Sequence, residues 1–233
     1  MNKNKKIWVY TLLGMLLLIF NSCTKNEDNN NPTTSDTVSD IDGNVYHTVK
    51  IGNQIWMLEN LKTTKYRNGD LIPNIADTLW KNLYTAAYCW YGNKIAHKST
   101  YGAVYNWYAV SDSRNIAPTG WHVATRIEWE TLIENQGGIT IAGGKLKEAG
   151  TTHWTDPNTG ATNSSGFTAL PGGFQESIGG GVYGMGKYGD WWSSTSTSTT
   201  LAWNCELSSI SVAVRTMSFT KKGGFSVRCV KDY

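Results

Sequence analysis

The sequence predicts an α+β domain: antiparallel β-sheet with one or two short helices and long ordered loops. Three observations carry that expectation. Residues 189–233 alternate apolar and polar side chains between turn-forming glycines, with Val212 and Val214 set against Arg215 and Val227 against Arg228. Such alternation suits strands with one buried face. A single strong helix signal stands at Thr125, with Glu128 three residues on and an apolar set of Ile127, Trp129, Leu132 and Ile133. Between these, residues 151–189 lack periodicity but carry Trp154, Phe167, Leu170 and Phe174, side chains able to pin an ordered loop region to a core.

The first 22 of 233 residues stand apart from this domain. Lys3, Lys5 and Lys6 precede an uncharged, mostly apolar run over residues 7–20. That run is shorter than the about 20 residues a membrane span needs. A basic start followed by a short apolar stretch reads as an export signal. The run leads into Phe20-Asn-Ser-Cys23, which looks like a lipobox. Residues 1–22 are therefore expected to be a lipoprotein signal peptide, and Cys23 the lipidated residue. Residues 23–37 are polar, with no aromatic or large aliphatic side chain, and are expected to form a flexible tether. Glu27 and Asp28, just behind Cys23, resemble the surface-export tag of Bacteroidetes lipoproteins. The expected location is the outer membrane, lipid-anchored and surface-exposed.

Charge supports no nucleic-acid role. The whole chain is +3, but its first 22 residues hold three lysines and no acid, which leaves 18 basic and 18 acidic residues beyond them. Net neutrality lacks the basic face that nucleic-acid binding requires. Residues 38–233 are long enough for one sizeable core. Ten of the eleven tryptophans lie beyond the signal, as expected of a β-rich domain with well-packed loops.

In chain order, Asp42-Gly43-Asn44 predicts a tight turn between strands at residues 38–41 and 45–49, and Gly52-Asn53 a second between 48–51 and 54–57. Asp40 and Asp42 lack the further acids of a calcium loop, so they are read as turn residues. Residues 84–91 are a strand or a buried apolar run. Residues 101–110 fit helix or strand equally well. Residues 118–125 make a turn and a short strand. A helix is predicted over 126–135 and a shorter one over 142–148. Three or four closing strands follow, at 191–194, 201–207, 211–217 and 225–230.

Tests for chemistry return little. His47, His97, His122 and His153 form no zinc-ligand spacing, and no nucleophile-elbow pattern occurs. His122, alternating with Trp121 and Val123, is expected to be structural. Gly179-Gly-Gly-Val-Tyr-Gly184 matches a dinucleotide-loop pattern in letters only, because no helix follows it. No metal and no cofactor are expected. Asp156, Asn158 and Asp190 are loop oxygens that suit capping turns better than calcium. Aromatic rings beside Ser, Thr and Asn can form a platform for sugars. The candidate ligand-binding set is therefore Trp154, Asp156, Asn158, Asp190, Trp191 and Trp192, with Trp203 a further aromatic; the competing reading is that these rings are core.

Taken together, DIDGNVYHTVKIGNQIWMLENLKTTKY, YGAVYNWYAV, PTGWHVATRIEWETL, AGGKLKEAGTTHW, TNSSGFTALPGG, WWSSTS and GFSVRCVKD resemble the Fibrobacter succinogenes major paralogous domain (FISUMP) from about Ser39 to Asp232. The resemblance implies secreted or lipid-anchored proteins of the Bacteroidetes–Fibrobacteres group. It also implies a fold similar to the C-type-lectin-like and formylglycine-generating-enzyme-like domains, with a helix after the PTGWHV turn, long loops and a terminal strand closing the sheet. It implies no catalytic residues. Family members often carry a cysteine where Ala117 stands here. Among the remaining Cys89, Cys205 and Cys229, the pair Cys205–Cys229 is preferred because both fall in predicted strands; three reduced, buried thiols are the alternative. The expected function is non-catalytic binding of a glycan or protein ligand at the cell surface through loops of a lectin-like domain. The alternatives are an enzyme, either a hydrolase or a cysteine-based oxidase of the formylglycine-generating type, and a purely structural envelope component.

Overall fold

The computed structural model describes residues 34–176 and 181–233. The expected signal peptide, Cys23 and most of the expected tether lie outside the described residues. In chain order the strands are β1 (Thr34–Ser39), β2 (Val45–Ile51), β3 (Gln54–Met57), β4 (Tyr88–Trp90), β5 (Ala103–Asn106), β6 (Trp121–Val123), β7 (Phe174–Glu176), β8 (Gly181–Tyr183), β9 (Tyr188–Ser196), β10 (Leu201–Ser208), β11 (Val214–Thr220), β12 (Gly224–Phe225) and β13 (Cys229–Lys231). The helices are α1 (Lys98–Tyr101), α2 (Trp107–Val110), α3 (Arg126–Asn135) and α4 (Ala142–Leu146). This is the expected α+β class, mostly antiparallel, with few short helices. Among the described residues no helix is long and apolar enough to cross a membrane.

The N-terminal meander forms where its turns predict it. Gly43 adopts φ +78°, a conformation glycine reaches without a Cβ clash. Asp40 fixes the same turn. One carboxylate oxygen accepts from the Asp42 and Asn44 amides at 2.9 and 3.0 Å, and the other from the Tyr46 hydroxyl at 2.5 Å. Asp42 turns away to Thr64 and Lys65; burial opposes its ionisation, but these partners hold its carboxyl below the usual range. Both acids are thus consumed by structural contacts, Asp40 within the turn and Asp42 with the following segment. β1 starts at Thr34, inside the stretch expected to be tether, and pairs along β2.

Residues 101–110 change element midway, so neither period fits them. β5 ends at Asn106, whose side-chain oxygen then accepts the Ala109 amide at 3.1 Å and caps α2. α3 occupies residues 126–135 with the full capping box: Thr125 accepts from the Glu128 amide, and Glu128 returns the bond to the Thr125 amide. α4 stops at Leu146, two residues short of expectation. Lys147 turns inward there, fully buried, and its ammonium donates to the carbonyls of Thr159, Ser208 and Ser211 at 2.8–3.0 Å. Burial lowers its pKa to about 8.

The C-terminal block is the main correction. It does not form one closing sheet. β9, β10 and β11 make a three-stranded sheet, but β11 begins at Val214 rather than residue 211. The final run then splits. β12 inserts between β5 and β7 in a sheet ordered β4-β5-β12-β7-β8. Ser226 bridges to Trp191 of β9. β13 inserts between β3 and β6 in the sheet β1-β2-β3-β13-β6. Residues 224–231 therefore stitch all three sheets together. Arg228 lies at the seam, 1% exposed, donating to Asn60 Oδ1 at 2.7 Å and to the carbonyls of Met57 and Phe167 at 2.9 and 3.0 Å. Asn60 Oδ1 also accepts Trp191 Nε1 at 2.8 Å, so one amide oxygen joins the seam to the core.

Candidate functional site

The ring set expected to meet a ligand is core. Trp154, Trp191, Trp192 and Trp203 are 1%, 0%, 0% and 4% exposed. Neighbours on a strand point to opposite faces, and β9 has a core on each. Trp191 packs with Trp129 and Phe167, at centroid separations of 6.0 and 6.5 Å. Trp192 packs on Phe225 at 4.4 Å in the other cluster. Their indole N–H groups, with that of Trp154, bond inward to Asn60, Tyr105 and Ala169 at 2.8–2.9 Å. No ring face is left for a sugar.

The loop oxygens also divide. Asp190 is 2% exposed, and burial with the neighbouring Glu206 holds its pKa well above the carboxylate range. It is therefore buried, with its charged form disfavoured, and does not face a ligand. Asn158 is buried and donates to the Glu148 and Gly150 carbonyls at 2.9 and 2.6 Å, the turn-capping role. Of the six candidates only Asp156 is exposed.

Cys205 and Cys229 are not bonded to each other. Cys205 and Cys229 are buried thiols in different apolar clusters, and Cys89 is buried in a third. The preferred Cys205–Cys229 bond is thus corrected: the two sulfurs are separate buried thiols. Burial raises the pKa of Cys205 and of Cys229, which suppresses thiolate chemistry.

Sequence reasoning passed over one charged cluster. His122 Nδ1 lies 2.6 Å from Asp232 and its Nε2 2.7 Å from Glu128. With a carboxylate at each ring nitrogen, both nitrogens donate and the ring is an imidazolium. The Glu128 bond, with burial opposing and Asp232 adding, pushes its pKa to about 9. A ring held protonated this way is a poor general base at neutral pH. No group of three or more His, Cys, Asp or Glu able to hold a metal ion occurs among the described residues.

An open surface groove of about 500 Å³ is lined by Lys81, Asn82, Tyr84, Tyr108, Thr200, Thr220 and Lys222. Four segments far apart in sequence build it. Tyr84 follows a 3₁₀ turn (Asp77–Asn82) and is 68% exposed. Tyr108 sits on α2, which is fixed from below by Trp107 Nε1 donating to the Ser193 carbonyl at 2.9 Å. Thr200 comes from the β9–β10 turn, and Thr220 and Lys222 from the end of β11 and the turn after it. Lys222 Nζ stands 3.7 Å from the Tyr84 ring centroid and donates to the Lys81 carbonyl at 3.2 Å. The adjacent Lys221, 8% exposed, lies 4.3 Å from the Trp107 ring and donates to the Thr199 carbonyl. The groove offers an exposed aromatic face, hydroxyls, a side-chain amide and cations, which together suit binding.

The family model for the Fibrobacter succinogenes major domain matches residues 49–231, which takes in β3 to β13 and the whole groove. No curated protein and no solved structure matches the chain.

Proposed function

We infer a binding role for this chain, which belongs to the Fibrobacter succinogenes major domain family: it is a non-catalytic, lipid-anchored protein of the outer-membrane surface that holds a glycan in the Tyr84–Tyr108 groove. The observation that carries this reading is Tyr84 itself. A large aromatic ring 68% exposed, beside a second tyrosine and rimmed by Asn82, Thr200 and Thr220, matches a sugar's apolar face and polar edge. The C-type-lectin-like reading of the fold is supported by a helix directly after the Pro118–Val123 turn and strand, by long ordered loops, and by a terminal strand that enters the first sheet. Support for anchoring is the lipobox-like run ending at Cys23 and the polar stretch after it.

Binding is tested with full-length protein in detergent against a glycan array and by pull-down. Tyr84→Ala is expected to weaken glycan capture at least about tenfold with the thermal melt unchanged, since its ring is mostly outside the core. Capture of a protein partner with no glycan bound, or glycan binding indifferent to Tyr84→Ala, rejects the groove as a glycan site. Anchoring is tested by metabolic labelling with a clickable fatty acid. Wild type should be labelled and sediment with membranes, and Cys23→Ser should do neither. A labelled Cys23→Ser protein would refute lipidation at Cys23.

A further inference from the structure

We propose that the groove selects acidic glycans, its cations reading carboxylate or sulfate groups while its tyrosines hold the sugar ring. This rests on the glycan-binding reading above and narrows its ligand class. Lys81 and Lys222 line the groove, Lys221 is the chain neighbour of Lys222 and lies over the Trp107 ring, and no Asp or Glu is among the described lining residues. None of these three lysines pairs with a carboxylate among the described residues. Lys221 and Lys222 donate instead to the neutral carbonyls of Thr199 and Lys81. This is a local excess in a chain that carries equal numbers of basic and acidic residues beyond its first 22. Exposed arginines such as Arg114 and Arg126 are matched to acids at 2.7–3.1 Å; lysines such as Lys50 and Lys94 also lack an ion pair among the described residues, but neither lines this groove. The geometry adds direction to the charge. Lys222 Nζ is held over the Tyr84 ring, so an anionic substituent on a sugar lying along the tyrosines falls within reach of an ammonium. A partly desolvated ammonium beside a ring attracts an anion more strongly than one free in water.

The test compares one polymer with and without its charge. Full-length protein is run in native affinity gels containing polygalacturonate or its fully methyl-esterified form, with alginate and heparin as further acidic polymers and a single-stranded oligonucleotide as a non-glycan polyanion. At least one acidic glycan should bind about tenfold tighter than neutral polymers, with the preference shrinking as salt rises from about 50 to about 500 mM. Where polygalacturonate is that glycan, the ester should lose the preference. The Lys81→Gln/Lys222→Gln double variant should bind acidic and neutral polymers alike, and Tyr84→Ala should weaken both. Binding by alginate alone or heparin alone supports the proposal and names the anion. Neutral polymers bound as tightly as all acidic ones, or a preference that survives the double lysine variant, overturns acid selection and leaves the groove as a glycan site. An oligonucleotide bound as tightly as the best acidic glycan also overturns it. No glycan bound at all, with Tyr84→Ala without effect, removes the glycan reading itself.

Discussion

At the scale of single residues, His122 makes stability depend on pH. Its ring is ordinary at about 6.5 when unfolded and is raised to about 9 in the fold by Glu128 and Asp232. A folded-state pKa above the unfolded value contributes stability that is complete below about 6.5 and is lost as pH rises through about 9. Asp232 is half exposed, so the contribution is well below the unscreened linkage figure, on the order of 1–2 kcal/mol. Lys147 titrates with the opposite sign from about pH 8 upward, its folded pKa being depressed. The clean measurement is therefore the urea-midpoint difference between wild type and His122→Asn. That gap should be widest near pH 6 and close by pH 9. A gap that stays constant across this range would show that the His122 ring contributes by packing and not by charge. The same cluster disfavours a hydrolase built on His122, because the charge that stabilises the fold is the proton a base would have to lack.

At the scale of elements, what could be read from the sequence was whatever local chemistry decides. The turns at Gly43 and Gly52 and the helix α3 form where Asp-Gly, Gly-Asn and the Thr125–Glu128 box put them, since each is specified within a few residues. The family was readable too, because its motifs are spread in order along the chain. Three things were not. Residues 101–110 switch from strand to helix at Asn106, which breaks any period. Trp191-Trp192 looked like a possible surface platform because sequence shows that a strand is apolar but not that it has a core on both faces. The groove was invisible because its parts, from Lys81 to Lys222, meet only through tertiary packing, and Tyr84 lay at the margin of a run read as strand or buried. Gly173 shows the same limit. Its φ of +67° and its contact with the Tyr183 carbonyl leave no room for a side chain, yet it reads in sequence as one more loop glycine.

At the scale of the whole molecule, the decisive element is the last one. A strand at the end of a chain is often an edge that can be lost cheaply. Here β13 is interior, with Val230 opposite both Trp56 and His122, and β12 is interior to a second sheet. Between them Arg228 donates to Asn60, Met57 and Phe167, groups from two segments far apart in the chain. Removing residues 224–233 would leave two sheets split, the Arg228 partners without their donor and Val227, Cys229 and Val230 gone from the cores. The buried hydrogen-bond groups would cost about 1–3 kcal/mol each, and the apolar burial lost with Val227, Cys229 and Val230 adds to that against a typical domain stability of about 5–15 kcal/mol. That truncation is expected to abolish the cooperative thermal transition and to expose apolar surface to a dye such as ANS. Deleting residues 34–39 is the matched control. β1 is an edge strand whose described side chains are mostly exposed, so its loss should lower the melting temperature and keep a single cooperative transition. If the C-terminal truncation melted cooperatively and the β1 deletion did not, the domain would be organised around its N-terminal meander instead. The groove draws on the same arrangement. Lys221 and Lys222 immediately precede β12, so the strand that closes the sheets also sets the cations against Tyr84.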